Sequence, residues 1–263
     1  MQNKQSLLLN IQILIFSYKF GLKFWQSMTY ELDGPRSDAA AISLYNGTRW
    51  WITGGYNNNR VRLASTEMLI IENGKIIGKE EEPPRLPHQI NAHCIARIDE
   101  NRVFIAGGPG GHALVFDERT RNITNLPSLK CGRYNPACAT LQVNNDTMLM
   151  VIGGYCNLDI NYGTLQGETL NMSKIDKGWR TDRTMLYDIG SYYSGAYVSY
   201  DDTRGTVLLG SMEYFVNSKQ DLSDKIVNLN STDGSFEVMP HKLQYARHGH
   251  TAVLIPDNHI SCE

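Results

Sequence analysis

Two histidines near the carboxyl end of the chain have the spacing of a metal-binding pair. His248 and His250 are separated by one residue, and His241 and His259 lie nearby in the sequence. Residues two positions apart on a β-strand face the same side, so both imidazole rings would be available to one metal ion. Neither a Gly-rich phosphate loop nor a Ser-His-Asp order accompanies the pair. The absence of these motifs argues against a catalytic site. We predict no metal, no cofactor and no catalytic residues.

Cysteines are the second group of residues that could do chemistry. The chain has five, at Cys94, Cys131, Cys138, Cys156 and Cys262, so at least one is unpaired. The sequence has no Cys-x-x-Cys, which argues against a zinc or dithiol redox site. Cys131 and Cys138 could form a disulfide in an oxidising compartment. We favour the other interpretation, in which the cysteines are buried free thiols that act as small hydrophobic residues.

The third group consists of asparagines in Asn-x-Ser/Thr sequons, the acceptors of N-linked glycans in secreted proteins. There are five of them, at Asn46, Asn122, Asn145, Asn171 and Asn230. Their placement depends on the elements that carry them.

A pair of glycines recurs along the chain, each time directly after a short apolar run. The pairs are Gly54-Gly55, Gly107-Gly108 and Gly153-Gly154, and Gly210-Ser211 is a degenerate fourth copy. The first glycines of successive copies lie 53, 46 and 57 residues apart. Repetition at about 50 residues is typical of a propeller blade or a solenoid unit.

A small residue inside a strand-like run keeps the same phase and precedes each glycine pair by 13 to 15 residues. These residues are Ala41, Cys94, Cys138 and Ala196. Turn-forming residues separate the runs, so each unit is predicted to contain four antiparallel strands, which in the second unit are 91–98, 102–106, 113–117 and 122–126. Small residues suit the crowded innermost strand of a propeller blade.

With these features the chain resembles the Kelch repeat family. Three further features support the resemblance: an aromatic residue about ten positions before a unit's first strand, a proline at a unit's end, and an Arg-x-Gly-His-x-Ala sequence. They are Trp25, Trp179 and Phe236, then Leu126-Pro127 and Met239-Pro240, then Arg247-His248-Gly249-His250-Thr251-Ala252. The resemblance implies an all-β, Kelch-type β-propeller of four-stranded antiparallel blades, with four complete blades and one partial or terminus-stitched blade. It also explains His250 as a packing and hydrogen-bonding residue.

We predict that residues 25–263 form the propeller, with inner strands near 38–44, 91–98, 136–142, 193–200 and 249–255. Residues 1–24 have two interpretations. Residues 6–16 have the length of the apolar region of a signal peptide. Residues 8–16 and 23–30 are also rich in strand-forming residues, which would suit the outer strands of a partial blade.

In an up-and-down blade, the loops between the second and third strands lie on the same face as the blade-to-blade connections. We predict these loops at 56–60, 109–111, 155–162 and 212–222, and long variable loops on a rigid frame are where binding usually occurs. Their aromatic residues and arginines are types favoured at interface hot spots. The residues predicted to bind a partner are Tyr56, Arg60, Arg62, Arg133, Tyr155, Tyr162 and Tyr214.

Four of the sequon asparagines are predicted in turns on the opposite face and are our candidate glycosylation sites, namely Asn46, Asn122, Asn145 and Asn230. Glycans at these positions would leave the predicted binding loops free, and this placement favours an extracellular over a cytoplasmic location.

Composition limits the possible function classes. With 263 residues, 41% of them hydrophobic, and a net charge of -2, the chain can bury a core and lacks the basic character of a nucleic-acid-binding protein. We predict a non-enzymatic scaffold that binds a protein of unknown identity, with no transmembrane segment. The alternative is a secreted carbohydrate-binding or galactose-oxidase-like propeller, since the resemblance extends to that enzyme. The copper ligands and crosslinked Cys-Tyr pair of galactose oxidase cannot be mapped onto this sequence.

Overall fold

A computed structural model describes residues 16–19, 24–27, 30–73, 75–156, 167–182, 196–199, 206–214, 220–230 and 235–246. The chain divides into two units, Met1–Asn91 and Ala92–Glu263. Helical structure in the described ranges is limited to two 3₁₀ turns, Tyr45–Gly47 and Met172–Lys177. The fold is therefore all-β, as the sequence predicts.

The first unit contains a hairpin and one four-stranded antiparallel sheet. The hairpin pairs β1 (Phe16–Lys19) with β2 (Phe24–Ser27). The sheet has the order β3-β4-β5-β6 and consists of β3 (Ala40–Leu44), β4 (Arg49–Thr53), β5 (Thr66–Glu72) and β6 (Lys75–Lys79). Residues 8–15 of the first predicted outer strand lie outside the described residues.

The second unit contains three more four-stranded antiparallel sheets, in which each strand pairs with the next long strand of the chain. The second sheet consists of β7 (His93–Arg97), β8 (Arg102–Gly107), β9 (His112–Asp117) and β10 (Asn122–Asn125). The third consists of β12 (Ala137–Val143), β13 (Asp146–Ile152), β15 (Gly167–Asn171) and β16 (Arg180–Asp182), accompanied by the short pair β11 (Arg133–Tyr134) and β14 (Tyr155–Cys156). The fourth consists of β17 (Ala196–Ser199), β18 (Thr206–Tyr214), β19 (Gln220–Leu229) and β20 (Phe236–Lys242).

The first strands of the four sheets overlap the ranges predicted for inner strands. The fifth predicted range, 249–255, lies outside the described residues. Over the part of the chain that is described, no helix has the length and apolar character needed to cross a bilayer.

The third sheet is apolar on both of its faces, and β13 shows why. Leu149 and Val151 point to one side, into a core shared with the second sheet. Met150 and Ile152 point to the other side, into a core shared with the fourth sheet. A strand buried on both faces needs a continuous apolar run rather than an alternating one. This explains the uninterrupted apolar segment before Gly153.

The aromatic residues predicted to fill the space between neighbouring sheets differ in how deeply they are buried. Trp179 is buried between the second and third sheets, and its indole Nε1 donates to the carbonyl oxygen of Pro127 at 2.7 Å. Phe236 is partly buried against the core between the third and fourth sheets. The side chain of Trp25 lies outside the described residues.

The glycine pairs are required by backbone geometry. All seven glycines of the predicted repeat have positive φ, namely Gly54, Gly55, Gly107, Gly108, Gly153, Gly154 and Gly210. A Cβ on Gly55 would lie 2.6 Å from the carbonyl oxygen of Ser37, and one on Gly154 would lie 2.8 Å from that of Tyr134. Only glycine fits both the conformation and the close approach.

The fourth sheet departs from the predicted loop at 212–222. β18 continues through Gly210 to Tyr214, and β19 begins at Gln220, so Tyr214 ends a strand and pairs with Gln220. The register shifts between Leu209 and Ser211, which marks a β-bulge. One residue of β18, Gly210, lies opposite two residues of β19, Asp224 and Lys225, so the bulge is on β19 while β18 stays in the sheet.

The expectation of free thiols is wrong for four of the five cysteines, and the pairing considered for Cys131 is also wrong. Cys94 pairs with Cys138 across a Cα–Cα distance of 5.4 Å, and Cys131 pairs with Cys156 across 5.9 Å. Cys94 and Cys138 occupy equivalent positions on the neighbouring first strands β7 and β12. Equivalence in the repeat places them side by side, which the steric interpretation of these small residues missed.

Candidate functional site

The loops between the second and third strands carry most of the residues predicted to bind a partner. In the first sheet this loop joins β4 to β5, and we call residues 54–65 the Tyr56 loop. In the third sheet the loop follows β13, and we call its described part, residues 153–156, the Tyr155 loop. Each loop lies in a different unit, and each rests on a buried ion pair.

The ion pair beneath the Tyr56 loop joins Arg36 to Glu67, which are 5% and 2% exposed. Arg36 Nε donates to Glu67 Oε1 at 2.8 Å, and Arg36 Nη1 donates to the carbonyl oxygens of Gly54 and Ser65 at 3.1 and 3.0 Å. The second carboxylate oxygen of Glu67 accepts the backbone N–H of Asp33 at 2.9 Å. The two charges are therefore paired and hydrogen-bonded, as burial requires.

The third sheet repeats this arrangement beneath the Tyr155 loop. Arg133 Nε donates to Glu168 Oε1 at 3.0 Å, and Arg133 Nη1 donates to the carbonyl oxygen of Gly153 at 2.9 Å. Glu168 Oε2 accepts the backbone N–H of Lys130 at 2.7 Å. Burial lowers the pKa of the Arg133 guanidinium below its ordinary value, and the facing Glu168 carboxylate opposes that shift.

We call this constellation the Arg–Glu frame: an arginine, a glutamate at the second position of the third strand, and the carbonyl of the first glycine. The glycine begins the loop and the glutamate lies just beyond its end. The arginine therefore ties the two ends of the loop together. A loop with fixed ends loses less conformational entropy when it binds a ligand.

Arg133 is predicted to contact a partner, but its side chain is 4% exposed and its Nε and Nη1 donate within the Arg–Glu frame, so its contacts in the structure are internal. Sequence spacing could have identified this role. Arg36 and Arg133 each lie five residues before the small residue of the following first strand, Ala41 and Cys138. The equally spaced Arg247 and Ala252 lie outside the described residues.

The tip of the Tyr56 loop is closed by one asparagine side chain. Asn57 Oδ1 accepts the backbone N–H groups of Asn59 and Val61 at 3.0 and 2.9 Å. The backbone N–H of Asn57 donates to the carbonyl of Val61, and that of Arg60 donates to the carbonyl of Asn57. Arg60 has a φ of 57° and is exposed, and Val61 is 48% exposed. The turn therefore presents an arginine and a valine to solvent.

The Tyr155 loop is closed by a disulfide and a short strand pair. β11 pairs with β14 so that Arg133 lies opposite Cys156 and Tyr134 opposite Tyr155. Cys156 is bonded to Cys131, two residues before the strand pair. The rings of Tyr134 and Tyr155 have centroids 6.5 Å apart and an interplanar angle of 35°, and Tyr155 is 39% exposed. The loop therefore presents an aromatic surface.

The remaining predicted binding residues divide into two groups. Tyr56 is half-buried, exchanges backbone hydrogen bonds with Ser37, and forms a bridge with the exposed Arg62. Tyr162 and the side chain of Tyr214 lie outside the described residues.

The second sheet has a much shorter loop, with no Arg–Glu frame at its described residues. The backbone N–H of Gly111 donates to the carbonyl of Gly108 at 3.1 Å, which closes the turn around Pro109. Gly132 packs so closely on this turn that a Cβ there would lie 2.2 Å from the Pro109 carbonyl oxygen. The turn therefore lies directly beside the segment that carries Arg133.

The histidines with metal-binding spacing fall outside the site. His241 is exposed in β20, while His248, His250 and His259 lie outside the described residues. Across the described ranges, no three His, Cys, Asp or Glu side chains gather where they could hold a metal ion. Two surface cavities lie at the ends of sheets that face away from these loops: one of about 90 Å³ in the third sheet, near Lys174, and one of about 320 Å³ in the second sheet, near Arg102.

An all-β fold of successive four-stranded antiparallel sheets is the class that these observations define. A solved structure described as "Structure of YjhT" is similar to this chain, with a TM-score of 0.63 and 12% sequence identity over 90% of this chain and 79% of that one. At this identity the similarity is one of fold. No family model matches the chain, and a search of curated proteins finds no match.

Proposed function

We propose that this chain is a Kelch-type β-propeller that acts as a non-enzymatic protein-interaction scaffold. The architecture is supported by four sheets of the same strand order and by glycine pairs with positive φ. The fold similarity over 90% of the chain supports it further. Four blades would be complete, and a fifth would be partial or built from both ends of the chain.

The partner would bind through the loops between second and third strands. The observation that carries this proposal is that each loop has a buried ion pair at its ends and exposed side chains at its tip. The Arg–Glu frame fixes the ends of the Tyr56 and Tyr155 loops, while Arg60, Val61 and Tyr155 remain exposed. Arginine and tyrosine on preorganised backbone are the usual anchors of protein interfaces.

Site-specific crosslinking tests the proposal. A photoreactive amino acid at position 60 or 155 should crosslink a discrete partner, whereas the same group at the exposed Arg119, at the opposite end of the second sheet, should not. Arg60→Ala and Tyr155→Ala should each weaken binding of that partner at least tenfold and leave the melting temperature unchanged. Equal crosslinking from all three positions would contradict the proposal.

A carbohydrate ligand is the second candidate, favoured by the Tyr134–Tyr155 ring pair. An exposed aromatic face is a surface on which a sugar ring can stack. A glycan array distinguishes the candidates, because specific glycan binding that Tyr155→Ala abolishes and Tyr155→Phe preserves would support this one. Copper binding with oxidase activity would indicate the galactose-oxidase-like alternative.

A further inference from the structure

Four of the five sequon asparagines lie at one end of their own sheets. We call this the turn end, because it carries the turns between strands one and two and between strands three and four. Asn46 lies in the β3–β4 turn, Asn145 in the β12–β13 turn, Asn122 at the start of β10, and Asn230 directly after β19. All four side chains are exposed. In each of these sheets the loop between strands two and three is at the opposite end.

The fifth sequon, Asn171-Met172-Ser173, is closed by the neighbouring residue Asp146. Asn171 Nδ2, the atom that a glycan would occupy, donates to Asp146 Oδ2 at 2.7 Å. Ser173 Oγ, the hydroxyl of the same sequon, donates to Asp146 Oδ1 at 2.8 Å. Asn171 Oδ1 accepts the backbone N–H of Ser173 at 2.7 Å and caps the 3₁₀ turn.

The Asp146 contacts are strong because the carboxylate is ionised. Hydrogen bonds from Asn171 and Ser173 hold the pKa of Asp146 below its ordinary value. A sugar would replace one of the two Nδ2 hydrogens and place its bulk beside Asp146, so it would crowd both of these bonds. The folded third sheet therefore disfavours a glycan at Asn171.

An independent observation indicates the compartment in which the chain matures. Each disulfide forms when two thiols lose two electrons and two protons to an oxidant, which the secretory pathway supplies and the cytosol does not. Cys94 and Cys138 are buried at 1% and 0% exposure, so their bond forms before or during packing of β7 against β12. The secretory pathway is also where N-linked glycans are attached.

We propose that the mature protein carries N-linked glycans at Asn46, Asn122, Asn145 and Asn230, and carries none at Asn171. The donor is an oligosaccharide joined through a pyrophosphate to a lipid. A bond forms between the asparagine Nδ2 and the first sugar carbon, the bond from that carbon to the pyrophosphate oxygen breaks, and Nδ2 loses a proton as the lipid pyrophosphate leaves. No atom changes its oxidation state.

Glycans at these positions would shield the turn ends of the sheets. They leave the Tyr56 loop and the Tyr155 loop uncovered, because each loop lies at the other end of its own sheet. This inference goes beyond the proposed function, and its test does not depend on partner binding.

Site occupancy in the protein purified from its native source is the test. Peptide N-glycosidase in ¹⁸O-labelled water converts each glycosylated asparagine to a heavy aspartate, which peptide mass spectrometry locates. We expect the label at Asn46, Asn122, Asn145 and Asn230, with Asn171 recovered as unmodified asparagine. Label at Asn171, or unmodified asparagine at the other four positions, would overturn the proposal.

Single substitutions in the sequons test each site separately, and the measured quantity is the mass that the glycosidase removes from the full chain. Thr48→Ala and Thr124→Ala each remove the hydroxyl of one sequon that we propose is glycosylated, so each should reduce this mass by one glycan. Ser173→Ala should leave that mass unchanged. Loss of one glycan in the Ser173 variant would show that Asn171 is occupied and would contradict the role given to Asp146.

Discussion

The Tyr56 loop and the Tyr155 loop rest on the same Arg–Glu frame but are closed by different bonds. In the Tyr56 loop, Asn57 Oδ1 accepts two backbone N–H groups and forms a compact turn. In the Tyr155 loop, the Cys131–Cys156 disulfide and the β11–β14 pair fix the chain. The comparison shows that the Arg–Glu frame is common to the first and third sheets, while the closure is specific to each loop. Loop tips can therefore differ in chemistry without a change in the sheet below.

The second sheet is the informative contrast. Its short turn at Pro109 needs no Arg–Glu frame, because few residues separate β8 from β9. The first strand of this sheet instead begins with the buried His93. The frame thus accompanies long loops, where the entropy of loop closure is larger.

Breaking either Arg–Glu frame should have the largest effect. Arg133→Met leaves the Glu168 carboxylate buried and unpaired, and Arg36→Met does the same to Glu67. Each should lower the free energy of unfolding by about 3–5 kcal/mol in urea titrations. Arg102→Met, which breaks the exposed pair with Asp99, should cost less than about 1 kcal/mol. Equal losses for the buried and exposed arginines would show that the frame has no special role.

The free energy of unfolding should decrease in acid because of His93 in the second sheet. Burial lowers the pKa of His93 from its ordinary value of 6.5 to about 3. The unfolded chain therefore binds this proton at higher pH than the folded chain, so stability is full above pH 6.5 and declines as the pH falls toward 3, by about 4 kcal/mol. His93→Asn should flatten this decline. His241→Asn, at an exposed position, should preserve it, and an unchanged decline in the His93 variant would contradict the assignment.

Removing the Cys131–Cys156 disulfide should loosen only one of the two loops. The double variant Cys131→Ala, Cys156→Ala should lose about 2–4 kcal/mol of unfolding free energy. Hydrogen exchange at the Tyr155 loop should accelerate, while exchange at the Tyr56 loop should not change. Acceleration at both loops would mean that they are not closed independently.

Removing the asparagine closure should have the smallest effect. Asn57→Ala leaves the N–H groups of Asn59 and Val61 without their acceptor, at a cost of about 1 kcal/mol. Exchange of those two amides should accelerate. The neighbouring Asn58→Ala is the matched control and should leave both amides protected. Protection retained in the Asn57 variant would show that the frame alone holds the loop.

The parts of the fold predictable from sequence are those with local causes. In the second sheet the predicted strand 102–106 is found as Arg102–Gly107, because turn residues and glycines fix both ends. The positive φ of the paired glycines could be predicted, because this backbone conformation strongly favours glycine. The extension of β18 to Tyr214 could not be predicted, since it depends on pairing with β19, for which β18 has no local signal.

The candidate site was less predictable because its contacts are distant in sequence. Arg133 and Glu168 are 35 residues apart, and neither residue has a local pattern that names the other. Cys94 and Cys138 share a position in the repeat, but their pairing also requires the adjacency of β7 and β12. Exposed Arg60 and Tyr155 could be placed in loops from the glycine pairs alone, since those glycines mark where each loop begins.

The Cys94–Cys138 bond has a mechanical consequence. If the chain is stretched from its ends, the residues between these cysteines form a closed ring that the pulling force bypasses. The bond spans 44 positions, and an extended chain gains about 3.4 Å per residue. About 150 Å of contour length should therefore stay hidden in single-molecule extension of the Cys131→Ala, Cys156→Ala variant until a reductant is added, and β8, β9 and β10 lie entirely inside that protected segment.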